Sequence, residues 1–257
     1  MIERLSVRYS PHPLFSPADS GAQVWRYIDF TKFVSLLDRN ALFFARADSM
    51  SDAWEGAYTA ENLRQRPEVF HPAEGESAAE MMHGLSQFHH SLRLHTFMSC
   101  WHLNNVESAA MWKLYVSQNE GIAIQSTFER LVRSFQGDEN DMFEVYVGKT
   151  NYLDYKRELF PEGNTFVPFL HKRLSFEHEH DLRAIIQPIF PGGDPIIGSE
   201  PFADGLLVEV DLQTLIECIY VAPTSEAWFA ALVENVAKKY GLAVSVRHSD
   251  LQRTPLY

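Results

Sequence analysis

The stretch QVWRYIDFTKFVSLLDRNALFFARA, residues 23–47, decides the fold class. Residues 23–28 are rich in β-formers. Phe30, Phe33, Val34 and Leu37 then fall at i, i+3, i+4 and i+7, the spacing of one helix face. Asp29 stands where an N-cap belongs, since its carboxylate can accept the free N–H groups of a first turn. Asn40 stands where a left-handed residue closes a helix. Residues 41–47 return to an apolar strand, so the stretch predicts strand, amphipathic helix and strand packed as one unit.

Working outward, residues 77–95 are helix-like, with Met81, Leu85, Phe88 and Leu92 at helical spacing, and residues 96–102 read as a buried strand. A helix over 107–116 turns Ala110, Met111, Leu114 and Tyr115 inward. A strand at 121–126 leads into a short helix at 127–135, and residues 143–152 alternate through Phe143, Val145 and Val147 as a half-buried strand does. Strands at 182–189 and 206–210 follow. Phe229, Leu232, Val233, Val236 and Tyr240 mark a helix closed by Gly241, and 244–246 form a last strand. Prolines and glycines make 67–80 and 190–205 surface loops. The alternation is too irregular for a barrel and predicts a mixed α+β fold, one domain over residues 1–257 with a helical insertion around 57–95.

Composition narrows the function. The 22 Lys and Arg against 34 Asp and Glu leave a net charge of −12, a field that repels phosphate backbones unless bases gather in one patch. Lys172, Arg173 and Arg183 are such a patch, so a nucleic-acid acceptor stays open. No apolar run reaches the roughly 18 residues of a membrane span, and the first ten residues lack the apolar middle of an export signal, which points to the cytoplasm. Cys100 and Cys218 are then expected to be reduced, buried thiols, and no Cys or His spacing suits zinc.

The densest polar run is Phe176-Glu177-His178-Glu179-His180-Asp181-Leu182-Arg183. If it is extended, Glu177, Glu179, Asp181 and Arg183 share one face, because side chains repeat with period two. Like charges so aligned repel, so either the nearby bases offset them or a ligand uses them. Two readings stand: a paired-carboxylate site that stabilises positive charge on a sugar ring, or a solvated edge of local ion pairs. Arg26 lies inside an apolar strand between Trp25 and Tyr27, where it either pairs with a carboxylate or faces a cleft that binds an anion. Ser126 and Thr127 end a strand and open a helix, where a hydroxyl caps the helix or orients a site group.

Weaker candidates read as structure. Asp48, Asp52 and Glu55 suit a turn and a cap better than a cation site. Cys100 and His102 flank Trp101 on a strand and read as core, while His83, His89, His90 and His95 read as surface residues of a helix.

Several segments together resemble the bacterial domain of unknown function family 2971. They are Val24-Trp25-Arg26-Tyr27 with its helix, Phe44-Ala45-Arg46-Ala47-Asp48-Ser49 followed by Asp52 and Glu55-Gly56, and Ser99-Cys100-Trp101-His102. Further on come Ala110-Met111-Trp112-Lys113-Leu114-Tyr115, Gly121-Ile122-Ala123-Ile124, Lys172-Arg173 through Arg183, Ile219-Tyr220-Val221-Ala222-Pro223 and Ser249-Asp250-Leu251. More distantly, an arginine in the first strand, a strand ending in Ser and Thr, and a later Glu-x-Glu resemble the arginine, serine, glutamate order of ADP-ribosyltransferases. That resemblance implies a split, antiparallel-rich sheet with flanking helices and NAD as substrate, ADP-ribose passing to a macromolecular acceptor in the setting of a toxin or defence effector. It gives Arg26 the NAD ribose or phosphate and makes Ser126 or Thr127 a brace. Glu179 stabilises the oxocarbenium-like transition state, and Glu177 selects the acceptor. Tyr27 and Trp101, with Trp25, supply aromatic walls for the nicotinamide. Two other outcomes remain: a noncatalytic binding module in which Glu177, Glu179 and Arg183 pair with Arg26 or Arg173, and a carboxylate hydrolase of glycosides or nucleosides.

Overall fold

The structure, a computed structural model, describes residues 3–116, 120–188 and 203–252. Along the chain the first elements are β1 (Glu3–Leu5), β2 (Arg8–Tyr9), β3 (Gln23–Asp29), α1 (Phe30–Arg39) and β4 (Ala41–Arg46). Then come α2 (Ala60–Val69), α3 (Ala78–Leu94), β5 (Phe97–Leu103), α4 (Ala109–Tyr115), β6 (Gly121–Thr127) and α5 (Phe128–Ser134). The second half holds β7 (Glu144–Lys149), β8 (Asn151–Leu153), β9 (His171–Arg173), β10 (Asp181–Ile186) and β11 (Gly205–Glu209). It ends with α6 (Leu212–Leu215), β12 (Cys218–Val221), α7 (Ala227–Lys239) and β13 (Ser245–His248).

The deciding stretch folds as its pattern dictates. Asp29 accepts the Lys32 N–H at 2.8 Å, and Asn40 ends α1 at φ 47°. Phe33, Leu36 and Leu37 are buried against Val24, Ile28, Leu42 and Phe44, each burial contributing roughly 1.5–3 kcal/mol. Most strand pairs are antiparallel, but β1 with β11, β12 with β13, β2 with β7 and β8 with β9 run parallel, so the fold is α+β with a mixed sheet. The main sheet runs β1-β11-β4-β5-β3-β6-β12-β13, and β10 lies along β5 and carries β7.

The sheet splits at β5. One edge of β5 pairs with β10 from Phe97 to His102. On the other edge, Phe97 and Met98 pair with Arg46 and Ala45 of β4, whereas His102 and Leu103 pair with Trp25 and Val24 of β3. Between those contacts β3 and β4 part, and the opening between them positions the site described below.

Tertiary contacts overrule the sequence in three places. The loop expected from residue 67 begins later, because α2 runs through Pro67 to Val69. Its buried Arg66 pairs with Glu162 at 2.9 Å and Asn62 donates to the Phe160 carbonyl, contacts that outweigh a proline in the last turn. Helix α4 is turned from its expected face: Met111 and Trp112 are buried while Ala110, Leu114 and Tyr115 are exposed. The Trp112 ring packs edge-on to Tyr27 and its indole donates to Glu107, which anchors the helix by that residue. Of the four histidines read as surface, His83 and His90 are exposed, but His95 is buried. His89 packs on Tyr58, and burial, reinforced by the Arg66 charge, pushes its pKa down to about 4. Of the second loop, residues 190–202 lie outside the described residues. Among the described residues no helix is long and apolar enough to cross a membrane.

Candidate functional site

A cavity of about 350 Å³ opens where β3 and β4 part. Strand alternation sends Arg26 to the face of Val24 and Ile28, against α1, and sends Trp25 and Tyr27 to the opposite face with Met111 and Trp112. The cavity is lined from both faces, by Arg26, Ile28 and Lys32 and by Trp25, Tyr27, His102 and Met111. Glu179, Asp181 and Lys172 complete its acidic wall.

Arg26 spans the split. Its guanidinium donates to the Ser99 hydroxyl on β5 and, at 3.0 Å, to the Phe43 carbonyl on β4, and it lies 5.7 Å from the Trp101 ring. All three partners are neutral, and among the described residues no carboxylate pairs with it. Burial pulls its pKa down to about 10, which still leaves the cation intact at neutral pH. A buried cation that no protein carboxylate neutralises by direct pairing is a place for a ligand anion.

The acidic wall departs from the extended run that the sequence suggested. Residues Leu174–Glu179 form a 3₁₀ turn closed by His180 at φ 43°, so the period-two alignment of Glu177 with Glu179 does not arise. Glu177 is exposed and is not among the residues lining the cavity. Glu179 is turned inward instead, where the Lys172 ammonium donates to its carboxylate and reaches Asp181 at 3.3 Å. Burial works against the Lys172 charge, but Asp181 and Glu179 prevail and hold its pKa above the ordinary lysine value. Behind them Arg183, fully buried, donates to both oxygens of Glu55, at 2.6 and 3.0 Å, and to Asp181 at 3.3 Å. Arg173 pairs with Asp52 at 2.6 Å. The three bases read as a patch are thus spent on neighbouring acids.

Ser126 and Thr127 do not reach the cavity. The Ser126 hydroxyl is fully buried and donates to the Leu215 carbonyl at 2.5 Å, tying β6 to α6, and Thr127 accepts the Arg130 N–H as the N-cap of α5. Both hydroxyls do the capping and cross-linking work that such positions ordinarily do. Tyr27 and Trp101 do line the cavity. The Tyr27 hydroxyl accepts the Ser108 N–H at 2.7 Å, and the buried Trp101 Nε1–H has no partner among the described residues.

Sequence reasoning set the bases Lys172, Arg173 and Arg183 against the acidic run that includes Asp181, and passed over Glu55 as a member of that network. The signal of the bases beside the acids is local, but the pairing of Glu55 with Arg183 is long-range and carries no local mark. Gly56, next to Glu55, holds φ +72°, and a Cβ there would overlap the buried Phe169 ring, so this glycine lets the 52–55 segment approach the cavity wall. The Cys100 thiol is pushed up to about 12, by burial first and then by Asp181, which leaves it protonated rather than nucleophilic. Among the described residues no group of three His, Cys, Asp or Glu is placed to hold a metal ion.

No family model matches the chain, so the likeness to domain family 2971 rests on the quoted motifs alone. No curated protein matches it either. Among solved structures, the DarT protein of Thermus sp. 2.9, in complex with ADP-ribosylated single-stranded DNA, is similar over 93% of this chain and 98% of that one. The identity is 10% and the TM-score 0.39, a likeness that defines neither the fold nor the chemistry of this chain.

Proposed function

We propose that the cleft binds NAD and transfers its ADP-ribose portion to a macromolecular acceptor. One observation carries the reading: the Arg26 guanidinium, free of any carboxylate among the described residues, and the Glu179 carboxylate line one cavity walled by Trp25, Tyr27 and Trp101. Its volume of about 350 Å³ lies in the range of small-molecule pockets. It suits the nicotinamide riboside half, with the diphosphate on Arg26.

The chemistry follows from the charges. As the bond between ribose C1′ and the nicotinamide nitrogen breaks, its electron pair leaves with nicotinamide and positive charge develops across C1′ and the ring oxygen. Glu179 faces that charge and accepts a hydrogen bond from the ribose 2′-hydroxyl, and a fixed, buried carboxylate stabilises the charge better than mobile water does. The acceptor nucleophile then bonds to C1′ and releases its proton to solvent water. Lys172 acts on Glu179 by holding it at the cavity wall. Glu177, exposed and outside the cavity, keeps a role only at the acceptor side.

The hydrolase reading gains less. The other carboxylates lining the cavity are each already paired, Asp181 with Lys172 and Arg183, Glu55 with Arg183 and Asp52 with Arg173, which leaves Glu179 without a free acidic partner. The binding-module reading is favoured by the Lys172–Glu179 pair itself and is separated by the Glu179 variant discussed below.

Arg26→Gln tests binding. It removes the cation while keeping side-chain donors near Ser99 and Phe43. A charge-assisted contact contributes about 1.5–3 kcal/mol, so NAD affinity measured by titration calorimetry is expected to fall roughly 10- to 150-fold with the melting temperature little changed. Equal affinity in both proteins contradicts the assignment. Labelled NAD offered with protein and with single-stranded DNA acceptors reads out the acceptor class.

A further inference from the structure

A second cavity of about 220 Å³ adjoins the first on the α1 side and shares Arg26, Ile28, Lys32 and Phe43 with it. Among the described residues three cations line it, Arg26, Lys32 and Arg39, and no carboxylate does. In a chain of net charge −12 that local excess is against the background. Lys32 does reach Asp29 at 3.1 Å, but both side chains are well exposed, and such pairs contribute about 0–1 kcal/mol and yield readily to a better anion. The Asp29 carboxylate is in any case engaged in capping α1, through the Lys32 N–H and the Thr31 hydroxyl. Between the cations the floor is apolar, built from Leu36, Leu42 and Phe43.

We infer that this second lobe binds the nucleoside diphosphate half of the dinucleotide, its phosphates spanning Arg26, Lys32 and Arg39 and its base lying on the apolar floor. The inference rests on the NAD reading above and adds to it an orientation. The nicotinamide end enters the acidic lobe beside Glu179, and the other end enters the cationic lobe under α1. A pocket with cations alone would take any phosphate. The apolar floor selects an anion that carries a flat, poorly hydrated group. Ser35 lines this lobe from an exposed position on α1, so its side chain can be enlarged into the lobe without disturbing the core.

The test is titration calorimetry of the whole protein with ADP, nicotinamide mononucleotide and inorganic pyrophosphate, on wild type, Ser35→Trp and the double variant Lys32→Gln/Arg39→Gln. Each of the removed cations lies on the exposed side of α1, so a thermal melt is expected to show folded proteins. Ser35→Trp is expected to weaken ADP about tenfold or more, leaving nicotinamide mononucleotide within about twofold. The double variant is expected to weaken ADP and pyrophosphate alike, about tenfold, and to flatten their dependence on salt. Should Ser35→Trp misfold, the double variant decides alone. ADP affinity unchanged in both variants, or pyrophosphate binding as tightly as ADP, overturns the inference while binding of nicotinamide mononucleotide keeps the NAD reading standing. Failure of wild type to bind any of the three overturns both.

Discussion

Arg183→Met is expected to lower the unfolding free energy by about 3–5 kcal/mol, measured by urea denaturation at neutral pH. The guanidinium is wholly buried and its carboxylate partners nearly so, with Glu55 2% and Asp181 6% exposed. Deleting it strands the Glu55 carboxylate, which has no other base within reach among the described ion pairs, whereas Asp181 keeps Lys172. The cost is therefore an uncompensated buried charge more than a lost attraction, and neutralising Glu55 as well should return part of it. Glu55→Met with Arg183→Met is expected to be more stable than Arg183→Met alone. A loss under about 1 kcal/mol for the single variant, or strict additivity of the two, contradicts a network that holds the wall of the cavity in place.

Glu179→Gln is expected to reduce NAD turnover, read as nicotinamide release, by about 100-fold or more, while NAD affinity stays within a few-fold of wild type. The amide keeps an acceptor for Lys172, and Lys172 keeps Asp181 at 3.3 Å, so the cost in stability is expected to be about 1 kcal/mol. The combination is diagnostic. A purely structural network predicts the reverse: a loss of about 3 kcal/mol or more in stability and no turnover to lose. Lys172→Met separates positioning from chemistry, since it should lower kcat together with stability and leave Glu179 present but unheld.

How much of this was legible in the sequence differs by scale. The elements from Gln23 to Arg46 were legible because their signals are local, a cap, a helical spacing and a left-handed asparagine, although Leu36 rather than Val34 completes the buried face of α1. The face of α4 was not, since it depends on Trp112 meeting Tyr27 from another element. The helix through Pro67 was hidden for the same reason, its supports Glu162 and Phe160 lying about a hundred residues on. At the site, Arg26 was conspicuous as a lone cation in an apolar strand, and Glu179 as part of an acidic run. Whether that run was extended or turned depends on the cation at its centre, and Lys172 pulling Glu179 inward has no counterpart in strand periodicity. Ser126 and Thr127 were read at the right place in the fold with two roles open, and the cap contacts occupy both hydroxyls.

The central claim is that Arg26 and Glu179 act on one molecule held in the split between β3 and β4. A crystal of Glu179→Gln soaked with NAD tests it most directly. The account predicts density through that split, a phosphate oxygen within hydrogen-bond distance of the Arg26 guanidinium and the nicotinamide ribose against residue 179. Dinucleotide bound elsewhere on the protein, or seated in the cleft with its phosphates away from Arg26, would contradict it.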